Sequence, residues 1–179
     1  MNYVHSNLEP ANILIGAIDE KPVVYLSDFS IARQYRHPRT RVHIPLRSGL
    51  PCPPTPVFSS INVDIGFEAS RRDDIESLAY VLIYLFCGSL PWIHGRNSNN
   101  IVQMKRSISS AELCQGLPEG LKNILDYSRT LTFQDKPNYN ILRSYVQIHT
   151  LSLSNIGTTS IVTSTLRFAS DTITIPGMA

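Results

Sequence analysis

Cysteine is scarce in this chain: three in 179 residues, Cys52, Cys87 and Cys114. Their spacing matches no metal-ligand pattern, and an odd number cannot all pair internally, which argues against a disulfide scaffold and for a reducing compartment. Charge is sparse as well. Charged residues make up 17% of the chain, below the roughly 25% usual in soluble domains. Sixteen Lys and Arg against fourteen Asp and Glu leave a formal +2, too small an excess for a nucleic-acid or anionic-membrane surface. Long hydrophobic runs are missing too. The one stretch that raises the question, Leu78 to Cys87, is ten residues, half of the roughly 20 a membrane span needs. It reads as a buried core helix, with Asp73, Asp74 and Glu76 just upstream, where carboxylates suit a helix N-terminus. The N-terminus carries no basic segment followed by an apolar one, so no signal peptide is expected. The expected location is intracellular, cytoplasmic or nuclear.

What is present suffices for one domain. Hydrophobic residues make up 42%, enough to bury a core. Ile13-Leu14-Ile15-Gly16 and Val23-Val24-Tyr25-Leu26, around the turn Asp19-Glu20-Lys21-Pro22, predict a β-hairpin. From Arg33 to Ser60 no hydrophobic period persists. Five prolines fall between Pro45 and Pro56, which predicts a long, restricted loop. Helical patterns follow at about Arg71–Cys87, Ala111–Gln115, Glu119–Leu131 and Asn138–Ile148. After that the composition changes. Twelve of the 25 residues from Thr150 to Thr174 are Ser or Thr, so residues 149–179 are expected to be a solvated tail and residues 1–148 the folded unit. The β-branched Ile161-Val162 and Ile173 leave an edge strand open as the alternative there. No internal repeat is visible. His37, His43, His94 and His149 are too scattered to predict a metal cluster.

Three landmarks occur in a meaningful order: His5-Ser6-Asn7-Leu8-Glu9-Pro10-Ala11-Asn12, then Asp28-Phe29-Ser30, then Ser70-Arg71-Arg72-Asp73-Asp74-Ile75-Glu76 at the start of the apolar helix. Protein kinases place H-R-D-x-x-x-x-N, D-F-G, an activation loop and a buried helix in this order. Further pieces are Leu14-Ile15-Gly16, Tyr35-Arg36-His37-Pro38-Arg39-Thr40, His43-Ile44-Pro45, Ser60-Ile61-Asn62, Gly88-Ser89-Leu90-Pro91-Trp92 and Asp135-Lys136-Pro137. Together they resemble the casein kinase 1 family over roughly residues 3 to 146. The resemblance implies a mainly α, α+β fold: a helical C-terminal kinase lobe with a small β-hairpin, without the N-terminal lobe.

The same resemblance locates the departures. Asn7 stands where a kinase has the Asp that accepts the substrate hydroxyl's proton, and an amide is not a base. Ser6 replaces the motif's Arg. Glu9 replaces the Lys that meets the transferring phosphate, a reversed charge. Loss of a general base alone lowers rates by about 10²- to 10⁴-fold. An alternative alignment treats Tyr3-Val4-His5-Ser6 as the end of a preceding helix with the catalytic loop deleted; it lacks the base as well. Asp28 and Asn12 match the two Mg²⁺ ligands, while Ser30 replaces the flexible Gly of D-F-G. No Gly-x-Gly-x-x-Gly, strand Lys or partner Glu precedes His5, so the parts that cover ATP are not expected in this chain. No cofactor is expected, and Mg-ATP only if an N-terminal lobe were supplied. In the activation loop Val57 and Leu50 stand where the family has an Arg and a Lys for an anion, and an apolar side chain cannot compensate phosphate charge. Thr55 is left as a loop residue.

Scaffold positions are kept. The resemblance implies that Asp74 accepts backbone N–H groups of the catalytic loop, that His5 and Phe29 belong to a hydrophobic spine, and that Arg129 braces the loop before the apolar helix. Arg33, Arg36, Arg39, Arg41 and Arg47 make the loop after Phe29 locally basic, either as a solvated loop or as a docking surface for an acidic or phosphorylated protein. Three functional readings follow: a catalytically inactive kinase-like fragment acting as a protein-binding module; a truncated gene product without function; or a serine/threonine kinase whose N-terminal lobe lies upstream. The expected partner is a protein, with neither nucleic acid nor membrane.

Overall fold

The architecture follows from one helix that is buried all round. The computed structural model describes residues 2–18, 21–53, 56–95 and 97–153. Helix α2 (Arg71–Cys87) is preceded by the short α1 (Ile61–Asp64) and followed by α3 (Ser98–Ser107), α4 (Ser110–Leu113), α5 (Glu119–Thr130) and α6 (Tyr139–Leu153). Residues Ala79 to Ile83 of α2 are each at most 1% exposed. Five consecutive buried residues exceed one turn, so this segment has no solvent face. Leu121, Ile124 and Leu125 of α5 and Val146 of α6 pack against it, together with Trp92 and Leu90 from the connection after α2. Each large side chain buried in this way contributes roughly 1.5–3 kcal/mol. The Tyr80 ring stands edge-on to Trp92 at 5.1 Å, and the Trp92 indole N–H donates to the Val57 carbonyl at 2.8 Å.

The three carboxylates at the start of α2 are all engaged, within the helix or with segments packed beside it. Asp73 accepts the Ser70 N–H at 2.7 Å, capping the helix, and the buried Ser60 hydroxyl at 2.6 Å. Glu76 accepts the Tyr80 hydroxyl at 2.6 Å. Asp74 reaches the N-terminal loop. Gly88, at φ 72°, ends the helix in the left-handed conformation that lacks a Cβ penalty.

Among the described residues the β structure consists of two antiparallel ribbons, so the fold is mixed and predominantly helical. In the expected hairpin, β2 (Ile13–Ile18) pairs with β3 (Lys21–Leu26), in register from Ile13↔Leu26 to Ile18↔Lys21. The strand does not stop at Gly16 as its sequence suggested. A Cβ there would lie 3.0 Å from the Tyr25 ring, so this glycine makes room for a cross-strand aromatic. The second ribbon, β1 (Tyr3–Val4) with β4 (Arg33–Gln34), was not foreseen, because its strands lie far apart in sequence.

Three helical expectations need adjustment. The α3 helix was missed, the 111–115 pattern is the short α4 at Ser110–Leu113, and α6 runs to Leu153, past the expected limit at 148. The proposed tail boundary at 149 therefore falls inside a helix, and the rest of the tail, 154–179, lies outside the described residues. The 33–60 stretch is irregular as expected, apart from β4 and a bridge between Arg36 and His43. Among the described residues no helix is long and apolar enough to cross a membrane.

Candidate functional site

The segment from His5 to Asn7 is held by one carboxylate. The His5 N–H donates to Asp74 Oδ2 at 2.7 Å and the Ser6 N–H to Oδ1 at 2.9 Å. These bonds hold Ser6 at φ 65°, a left-handed conformation that a non-glycine residue adopts only when its surroundings enforce it. The Asn7 N–H donates to His5 Nδ1 at 3.3 Å. His5 Nε2 lies 2.9 Å from the Ser27 carbonyl. Since a carbonyl only accepts, it is the Nε2–H that donates in this contact. The ring meets Phe29 edge-on at 4.8 Å, although Phe29 itself is 48% exposed.

The side chains above this loop close on one another. The Asn7 amide donates to Asp28 Oδ2 at 2.8 Å, and the Ser30 hydroxyl donates to Oδ1 at 2.5 Å. Both bonds favour the ionised carboxylate, with Ser30 the stronger influence, and they hold Asp28 below its usual range. Asp28 also has a positive φ of 56°, which Asp tolerates better than most residues. Asn12, buried at the end of the 3₁₀ turn Pro10–Asn12, donates its amide to the Asn7 carbonyl at 2.9 Å. Its side chain is thereby engaged with the loop.

His5, Asn7, Asn12, Asp28, Phe29 and Asp74 thus form one constellation. Its chemistry is that of acceptors already satisfied: Asn7 faces Asp28 as a donor, and Asp28 is the sole carboxylate bonded to it. Among the described residues no three His, Cys, Asp or Glu side chains converge as ligands. A cation held by Asp28 would displace the Asn7 and Ser30 bonds and draw its remaining ligands from a bound molecule. Adding Mg-ATP should therefore leave the melting temperature within about 1 °C of the unliganded value. A rise of several degrees, the signature of binding to the folded state, would show that the Asn7–Asp28 bond yields to ligand.

Asp74 is in a different electrostatic position. Burial pushes its carboxyl up to about 6, against the opposing influence of the two N–H donors. Among the described residues the hydrogen bond and ion pair of Arg129 go to α2 and not directly to the loop before it. Its guanidinium bonds the Tyr80 hydroxyl at 3.0 Å and lies 3.5 Å from Glu76. The link to that loop is indirect: Glu76 also accepts the Ile61 N–H at 3.4 Å. Val57 and Leu50 are partly buried, Val57 against the core, while Thr55 lies outside the described residues. Burial raises the Cys52 thiol and pushes Cys114 up to about 11, so neither is a thiolate nucleophile at neutral pH.

One fully buried ion pair was not anticipated. Lys105 of α3 donates to Asp64 at 2.7 Å, to the Ser59 carbonyl at 2.6 Å and to the Pro56 carbonyl at 2.5 Å. Both side chains of the ion pair are 0% exposed. Burial lowers the lysine and raises the aspartate, and each opposes this in the other. The missed signal was positional: Lys105 lies at i+4 from Ile101 and i−3 from Ile108, on an apolar helix face. No protein-family model matches the chain.

Proposed function

We propose that this chain is a catalytically inactive, casein kinase 1-like C-terminal lobe that serves as a protein-binding scaffold. The observation supporting it best is the pairing of an anchored loop with a polar centre closed on itself: Asp74 holds the loop at His5 and Ser6, while Asn7 donates to Asp28. A base at position 7 would need a free acceptor directed at a substrate hydroxyl. Here the polar end of the side chain is an amide spent on stabilising a neighbouring carboxylate. Glu9 adds negative charge where a transferred phosphoryl group would gain from a cation.

The test is phosphotransfer from radiolabelled ATP to a casein-like acidic substrate in the presence of Mg²⁺. The expected result is no incorporation above a buffer blank. Incorporation that disappears in Asp28→Ala would establish an active enzyme and overturn the proposal.

A further inference from the structure

The arginines between positions 33 and 47 divide into two sets. Arg33 and Arg47 both pair with Glu68, at 3.2 and 2.5 Å, and that carboxylate is 1% exposed. They are neutralised within the fold. Arg36, Arg39 and Arg41 take part in none of the ion pairs among the described residues. Two of them converge: Arg36 Nε donates to Asn2 Oδ1 at 2.7 Å, and Arg41 Nη1 donates to the same oxygen at 3.1 Å. Two guanidiniums thus meet at one uncharged oxygen, a position where a charged oxygen would be held far more strongly.

The cluster is prearranged. The Arg36 guanidinium lies 5.3 Å from the Tyr35 ring centroid, and Arg71 covers the same ring at 4.4 Å, adding a third positive charge nearby. The turn carrying Arg39 and Arg41 is closed by His37 N–H to Val42 O at 2.8 Å and Arg41 N–H to His37 O at 2.9 Å. Arg41 itself is held at φ 61°, a strained setting of the kind that recurs at binding sites. Two exposed apolar residues are chain neighbours of the cluster: Tyr3, 60% exposed, follows Asn2, and Val42, 66% exposed, follows Arg41. Arg36, Arg39 and Arg41 lie within six positions of one turn, in a chain of net charge only +2, which suits a single phosphate flanked by side chains better than a nucleic-acid backbone.

We propose that Arg36 and Arg41, with Asn2 as placeholder, form a binding site for the phosphate of a phosphoserine or phosphothreonine peptide. The proposal names the partner class of the scaffold but stands on geometry independent of the kinase reading. A protein active in phosphotransfer could carry the same site.

The test is fluorescence anisotropy with a labelled phosphoserine peptide, its unphosphorylated form and a labelled single-stranded oligonucleotide, at low salt. The phosphopeptide should bind at least about tenfold more tightly than the unphosphorylated peptide, as expected for charge-assisted bidentate contacts, and inorganic phosphate should compete. Arg41→Gln, on an exposed turn and expected to melt like wild type, should abolish most of that difference. Arg36→Gln should do the same. Asn2→Ala should leave binding undiminished, because it removes a competitor for the guanidiniums. Equal binding of the two peptides, full phosphate discrimination in Arg41→Gln, or tighter binding of the oligonucleotide would each overturn the proposal.

Discussion

Lys105→Met should destabilise the protein by about 3–5 kcal/mol, the usual loss when one partner of a buried ion pair is removed. The ammonium satisfies Asp64 and two carbonyls at Pro56 and Ser59, and a thioether satisfies none of them. For a domain of this size the loss corresponds to a fall in melting temperature of about 10 °C. Asp64 would retain the Ser59 hydroxyl as a donor and would take up a proton. The double variant Lys105→Met/Asp64→Leu should recover most of the loss, since replacing both charges leaves no uncompensated ion. Thermal melts of the two variants check this. A double variant as unstable as the single one would place the stabilisation in the carbonyl contacts rather than in the ion pair.

Asp74→Ala is the second large effect. It strands two partly buried N–H donors, at His5 and Ser6, each costing roughly 1–3 kcal/mol, with the acceptor's charge favouring the upper half. The effect should depend on pH with a definite sign. The folded-state carboxyl is raised to about 6 from an ordinary 3.8, so between those values the native protein holds a proton that the unfolded chain has released. That contribution is fully present below about pH 3.8 and is lost as pH rises through about 6. The melting-temperature gap between wild type and Asp74→Ala should therefore be wider at pH 5 than at pH 8. A gap that narrows on acidification would contradict the buried-carboxylate account.

Part of this was legible in the sequence, for local reasons. The limits of α2 were plain because Ser70, the adjoining carboxylates and Gly88 are chemical signals that act within one turn. The β2–β3 hairpin was visible because β-branched runs flank a short turn. The α3 helix was hidden because Asn97, Asn99 and Asn100 have the composition of a loop, although Asn97 caps the helix by accepting the Asn100 N–H. Lys105 then interrupts its apolar face, and the partner that makes this tolerable lies 41 positions earlier. The same limit applied to the site. The order of the motifs located Asp74 and Asp28. Only the folded chain reveals that Asn7 donates to Asp28, that Arg129 reaches Glu76 and Tyr80, and that Glu68 neutralises two arginines while three others enter no ion pair among the described residues.

The central claim is that the His5–Asn7 loop is retained as scaffold and no longer as chemistry. Its most direct test is a paired melt of Asp74→Ala and Asn7→Ala against wild type at neutral pH. Asp74→Ala should melt clearly lower, by several degrees. Asn7→Ala, which removes only an exposed amide bond to Asp28, should stay within about 0.5 kcal/mol of wild type, as surface substitutions do. If both variants melt with wild type, Asp74 is an ordinary carboxylate and the proposed kinase-lobe reading loses its anchor.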